Sequence, residues 1–124
     1  MRLFNCIWLN RCVFYASLIA GCLLAFDPAP GGLQATVNDK LLHTFGFMGI
    51  AFLAQLAHPS AQYRWHVVGL ITFGILIELV QFFIPQRSFS LWDLAADSLG
   101  IGVYYLALAP LISTHVLKYR FAPD

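Results

Sequence analysis

Four long apolar stretches run through the chain, roughly Val13 to Phe26, Leu41 to Ala57, Val67 to Ile84 and Leu91 to Ile112, and polar residues collect between them. These stretches approach the roughly 20 residues a helix needs to cross a bilayer. The pattern predicts an all-α, integral membrane four-helix bundle, a single domain over 1–124 with helices at about 6–26, 39–57, 66–84 and 90–112. The first break, Asp27-Pro28-Ala29-Pro30-Gly31-Gly32, carries two prolines and two glycines, so neither neighbouring helix can run through it. His58 to Arg64 forms the second loop and Pro85 to Phe89 a tight third turn.

Within this frame the charged residues gather at one end of successive segments. Asp39, Lys40 and His43 open the second, Glu78 and Gln81 lie near the close of the third, Arg87 and Ser88 occupy the turn, and Asp93 and Asp97 begin the fourth. Glu78 lies nine residues before Arg87 and Asp97 ten after it, so in a hairpin the two carboxyls reach similar depth, roughly 10 Å below the outer helix ends. Spacings of three (Glu78 and Gln81, Lys40 and His43) or four (Asp93 and Asp97, Asp39 and His43) put each set on one helix face. Hydrocarbon penalises a charge by about 2.5 to 3.5 kcal/mol on insertion scales. The stripes are therefore expected to turn inward and form a pocket, with Lys40 and Arg87 at its mouth and Glu78 and Asp97 at its floor.

Composition agrees with a membrane setting: 60% of the 124 residues are hydrophobic and 10% charged, against roughly 25% charged in a soluble domain. The basic residues fall singly at segment ends, which excludes a phosphate-tracking stripe and with it nucleic acid as partner. Arg2, Arg11, Arg64, Lys118 and Arg120 share one side of the four-span model and Lys40 and Arg87 the other, so both termini are expected in the cytoplasm. Trp8, Tyr63, Trp65 and Trp92 fall at the predicted interfaces. Cys6, Cys12 and Cys22 have no metal-type spacing and are expected to pack as soft hydrophobes. Ile19-Ala20-Gly21-Cys22 has the form of a lipoprotein cleavage box, but Leu23 to Phe26 continue the apolar run where such a signal turns polar. The segment is expected to be a retained helix.

Plainer roles compete for several of these residues. Ser90-Leu91-Trp92-Asp93 has the form of a capping box, and Asp39 could cap the second helix at its positive end. Gln81 and Ser98 suit interhelical hydrogen bonds, and Glu78 a salt bridge to Arg87 or Lys40. Gly46, Gly49, Gly100 and Gly102 suit close helix packing, as does the Ala96-to-Gly100 spacing. His58, His66 and His115 fall at the opposite end and are expected to be interfacial. His43, Glu78, Asp93 and Asp97 contain no His-x-x-Glu or His-x-x-x-His pair on one helix, so no metal site and no cofactor is expected.

Taken in order, Asp39-Lys40-Leu41-Leu42-His43, Glu78-Leu79-Val80-Gln81, Pro85-Gln86-Arg87-Ser88 and Ser90 through Gly100 resemble the VanZ-like family of small bacterial membrane proteins, over roughly Asn38 to Gly102. The resemblance implies functional positions at Asp39, Lys40, His43, Glu78, Gln81, Arg87, Asp93 and Asp97. Many members of that family carry Asn at the last of these, which implies a hydrogen-bonding role there. It also implies a bacterial cytoplasmic membrane and an association with resistance to teicoplanin, a lipid-tailed glycopeptide, without supplying a mechanism.

The expected function is binding of a lipid or lipid-linked envelope headgroup in the outward-facing polar pocket, through Asp39, Lys40, His43, Glu78, Gln81, Arg87, Ser88, Asp93 and Asp97. One rival is a small intramembrane acid/base enzyme using Glu78 and His43. Another is a structural or accessory subunit whose charges pair within the bundle or with a partner membrane protein or second copy.

Overall fold

The computed structural model describes residues 6–28 and 38–112. Arg2, His115, Lys118, Arg120 and the Pro30 to Gly32 part of the first loop lie outside the described residues. Among those described, every regular element is helical: α1 (Ile7–Ala25), α2 (Asp39–Ala57), α3 (Tyr63–Phe82) and α4, which runs as an α-helix over Leu91–Val103, a wider π turn over Tyr104–Leu108 and a last α turn over Ala109–Ile112. All four are long and apolar enough to cross a membrane. A helix of 19 residues, such as α1 or α2, is about 28 Å long, close to the roughly 30 Å of a bilayer's hydrocarbon core.

Two boundaries depart from the sequence pattern by more than one residue. The third helix begins at Tyr63, not at residue 66, because Tyr63 is held on both sides. Its hydroxyl accepts a hydrogen bond from Gln55 Nε2 at 3.2 Å, and its ring lies 5.1 Å from that of Tyr105. It ends at Phe82, not Ile84. Phe83 N donates to Val80 O at 3.0 Å, a tightened last turn, and Ile84 precedes Pro85, which disfavours the helical region. The chain then reverses through Gln86, whose φ of +67° is left-handed. The π turn in α4 has a local cause in the sequence. Pro110 has no N–H to offer the carbonyl four residues before it and its ring crowds that carbonyl, and a widened turn just upstream relieves both.

α2 is the central element: its most extensive contacts are with α4, then with α1. Gly100 on α4 makes the first contact possible. A Cβ there would run into the backbone carbonyl of Thr44 on α2, so the two helices touch backbone to backbone, with Ala96 buried one turn earlier. Gly46, Gly49 and Gly102 have open space where a Cβ would stand, so of the four glycines expected to serve packing only Gly100 does. The core includes Phe14, Phe47, Ala51, Ala54, Leu70, Ile77, Ile101 and Tyr104.

The outside of the bundle is apolar and part of its inside is polar. Phe83, Trp92 and Leu106 are more than three-quarters exposed, whereas Asn10, His66, Glu78, Gln81, Asp93 and Asp97 are buried. That inversion suits a protein solvated by hydrocarbon. Trp8, Trp65 and Trp92 lie on the exposed surface as interfacial anchors would, and the guanidinium of Arg64 sits 5.4 Å from the Trp65 ring. Two expectations fail. Cys6 and Cys12 are exposed and do not pack in the core, Cys22 being half-buried. His66 is buried, between Tyr63 and Tyr105, because those rings close over it.

Replacing Gly100 with Ala should destabilise the bundle by about 1–3 kcal/mol, the usual cost of overpacking, whereas Gly102→Ala should leave it unchanged or slightly more stable. Thermal unfolding of the two variants in the same detergent checks this difference.

Candidate functional site

The first turns of α2 and α4 and the last turns of α3 meet at one end of the bundle. At the start of α2 the capping residue is Asn38, whose side chain accepts from Lys40 N at 2.9 Å. Asp39 is thereby not the cap; it sits half-buried in the first turn, where its charge still favours the helix's positive end. The α4 cap has an unusual division of labour. Ser90 Oγ accepts from Asp93 N at 3.2 Å, as in a capping box, but the reciprocal bond does not come from Asp93. The Ser90 N–H donates instead to Glu78 Oε2 on α3, at 2.9 Å.

That substitution frees the Asp93 carboxylate for another task. Lys40 Nζ binds Asp93 Oδ1 directly and lies 3.8 Å from Asp39 Oδ2, so Lys40 pairs with Asp93 and not with Glu78. His43 stands between two acids. Its Nδ1 is 2.7 Å from Asp97 Oδ1 and its Nε2 3.9 Å from Asp93 Oδ2. With a carboxylate as partner, Nδ1 is the donor.

At the floor, His43, Glu78 and Asp97 come from three different helices, and each offers an atom within 4.8 Å of the others. Glu78 and Asp97 are 0% exposed, and Glu78 Oε1 and Asp97 Oδ2 have no hydrogen-bond partner. The second oxygen of Asp97 fits only because position 74 is glycine: a Cβ there would stand 2.9 Å from it. Asp39, His43 and Asp93 form a second, more open group of the same kind. Exposure thus falls from Lys40 and Asp39 at the rim, each side chain nearly half exposed, through His43 and Asp93 to the closed floor.

Three expected site residues lie elsewhere. Gln81 turns toward α1 and donates from Nε2 to Ala25 O at 2.9 Å, serving the end of that helix. Arg87 donates from Nε and Nη2 to Asp27 O at 3.1 and 2.9 Å, which ties the third turn to the first loop instead of pairing with Glu78. Ser88 is exposed in that turn. Ser98, expected to bridge helices, bonds its own helix at Leu94 O, 2.8 Å away. Asn38 and Gly74 are the contributors that sequence reasoning missed. An Asn immediately before the second apolar segment was a readable cap signal, whereas nothing local marks Gly74.

An apolar groove of about 530 Å³ opens beside the cluster between α1 and α2. Gly21, Leu24, Phe45, Gly46 and Ile50 are among the residues that line it, and Asp39 and His43 form its polar end.

No family model matches the chain, and no solved structure matches it. It is 29% identical over 98 residues to an uncharacterised protein, C11E3.10, of Schizosaccharomyces pombe, a match that takes in 76% of this chain and 59% of the yeast protein. The chain therefore spans less than two thirds of that relative's length.

Removing Glu78 should test its role as cap in trans. Glu78→Ala leaves the Ser90 N–H without its acceptor and should cost about 1–3 kcal/mol from that group alone. Glu78→Gln, which keeps an oxygen in reach, should cost less. Denaturation of both variants in detergent, followed by circular dichroism, should give that ranking.

Proposed function

We propose that this chain is a multi-pass, VanZ-like membrane protein whose polar cluster holds the headgroup of a membrane lipid or lipid-linked envelope intermediate. The observation that carries the reading is the junction of the apolar groove with the cluster, through Asp39 and His43. An acyl chain lying between α1 and α2 would bring its headgroup to those two side chains, with Lys40 and Asp93 in reach. Pockets of this size with a few convergent polar groups at one end are the usual form of a small-molecule site.

Charge narrows the headgroup. Four carboxylates, Asp39, Glu78, Asp93 and Asp97, face one lysine and one histidine, so the interior favours ammonium or hydroxyl groups, and a phosphate is best met at the rim by Lys40. Both termini would be cytoplasmic. Arg11 and Arg64 belong to one end, and the two basic residues at the other are engaged, Lys40 by Asp93 and Arg87 by the Asp27 carbonyl. Resistance to a lipid-tailed glycopeptide would follow from altered presentation of lipid at the surface of a bacterial cytoplasmic membrane. The fungal source of the relative weighs against tying the site to bacterial wall chemistry, and a lipid headgroup common to many membranes fits both settings.

The contact between His43 and Asp97, beside an oxygen of Glu78 with no partner, favours a second reading, proton transfer to a bound lipid. Mass spectrometry of lipid carried through purification separates the readings. Headgroup binding predicts one lipid class enriched severalfold over the bulk membrane and chemically unaltered. Its enrichment should disappear in Gly46→Phe, which fills the groove and leaves the contacts of the polar cluster in place. A chemically altered lipid that reverts to the parent in His43→Ala would favour the enzyme. A lipid profile equal to the bulk membrane would leave the accessory-subunit reading.

A further inference from the structure

We propose that His43, Glu78 and Asp97 form a site for a divalent first-row metal ion, held between α2, α3 and α4 at the floor of the cluster. Two independent observations meet there. One nitrogen and two carboxylate oxygens, each from a different helix, lie within 4.8 Å of one another, near enough for small side-chain rotations to bring all three to the roughly 2 Å bond length of one small cation. Both carboxylates are fully buried, and each keeps one oxygen with no hydrogen-bond partner. Buried carboxylate oxygens are costly without a proton donor or a cation, and the lysine of the cluster is already bound to Asp93.

The donor set indicates the kind of ion. Imidazole together with two carboxylates suits Zn²⁺, Mn²⁺ or Fe²⁺ better than Ca²⁺ or Mg²⁺, which favour all-oxygen surroundings. Two ionised carboxylates neutralise a divalent charge, so the metal-loaded floor carries none, as burial in a membrane requires. Binding at Nδ1 displaces the proton that His43 shares with Asp97 Oδ1, and that proton leaves to solvent. The outer group of Asp39, His43 and Asp93 provides acidic stepping points from the rim. Asp97 is needed for that balance: with Asn in its place the floor would have a single carboxylate and an excess positive charge on binding.

The inference stands on the floor residues and not on the lipid reading, and the two are read separately. Full-length protein in detergent, treated with EDTA and freed of chelator, is equilibrated with Zn²⁺ or Mn²⁺, and bound metal is counted by mass spectrometry after gel filtration. One ion per chain is expected for at least one of the two metals, with affinity at least tenfold weaker in Asp97→Asn and in Glu78→Gln. With Co²⁺, the wild type should show visible d–d absorption that Asp97→Asn lacks. Well under one tenth of an equivalent retained by the wild type with both metals would overturn the proposal, whatever the variants do. So would an affinity that neither variant changes, which would mark adventitious surface binding. Gly46→Phe, measured alongside, should lose lipid and keep metal; loss of lipid enrichment in the wild type with metal retained would sink the lipid reading alone.

Discussion

The burial of Glu78 and Asp97 is the constraint from which the rest of the architecture follows. In a chain whose outer surface is Leu, Phe and Trp, two fully enclosed carboxyls can persist only if the surrounding helices supply the contacts that water would. His43 meets Asp97, the Ser90 amide meets Glu78, and Lys40 neutralises Asp93 above them. Each contact joins residues from different helices, so the polar cluster specifies which helices are neighbours, a task that hydrophobic contact performs poorly among lipid tails.

The same economy governs the backbone. Helix termini leave carbonyls and amides without partners inside their own helix, and near hydrocarbon these must be met by protein. Here neighbouring helices do it. Asn10 and Arg11 on α1 donate to Leu56 O and Ala57 O at the end of α2, Gln81 on α3 donates to Ala25 O at the end of α1, and Glu78 receives the first amide at the α4 cap. Toward the end of the bundle away from the polar cluster, Tyr105 reaches Ala51 O at 3.2 Å and Tyr104 reaches Gln55 Oε1 at 2.5 Å. Residues that look like ligands in the sequence, Gln81 above all, serve this closure.

Much of the fold was legible because hydrophobic run length and proline position are local signals. The four segments and their breaks follow from them, and so does the common depth of Glu78 and Asp97, which needs only a hairpin and a rise per residue. What escaped depends on contacts between helices. The early start of α3 rests on Tyr63 meeting Tyr105, and the role of Gly74 on an oxygen that belongs to α4. The grouping of His43 with the two floor carboxyls as a possible ligand set escaped for the same reason. A search for ligand pairs along one helix finds none, because His43, Glu78 and Asp97 each come from a separate one. Arg87 was misplaced because the partner of its guanidinium is a backbone carbonyl, which no side-chain pattern announces.

These contacts also form a causal chain from packing to chemistry. Gly100 has no side chain, so α4 can press against the backbone of α2 at Thr44. Thr44 follows His43, and the same close approach that removes a Cβ from the interface brings the imidazole to within 2.7 Å of Asp97, one helical turn before Gly100. Were the helices held apart by even one methyl group, the imidazole would move off its carboxylate and Asp97 would be left buried without a donor. The small-residue contact and the polar cluster are therefore a single device. The glycine sets the separation, the separation sets the His43–Asp97 contact, and that contact permits an acid to stand at a depth where lipid alone would expel it.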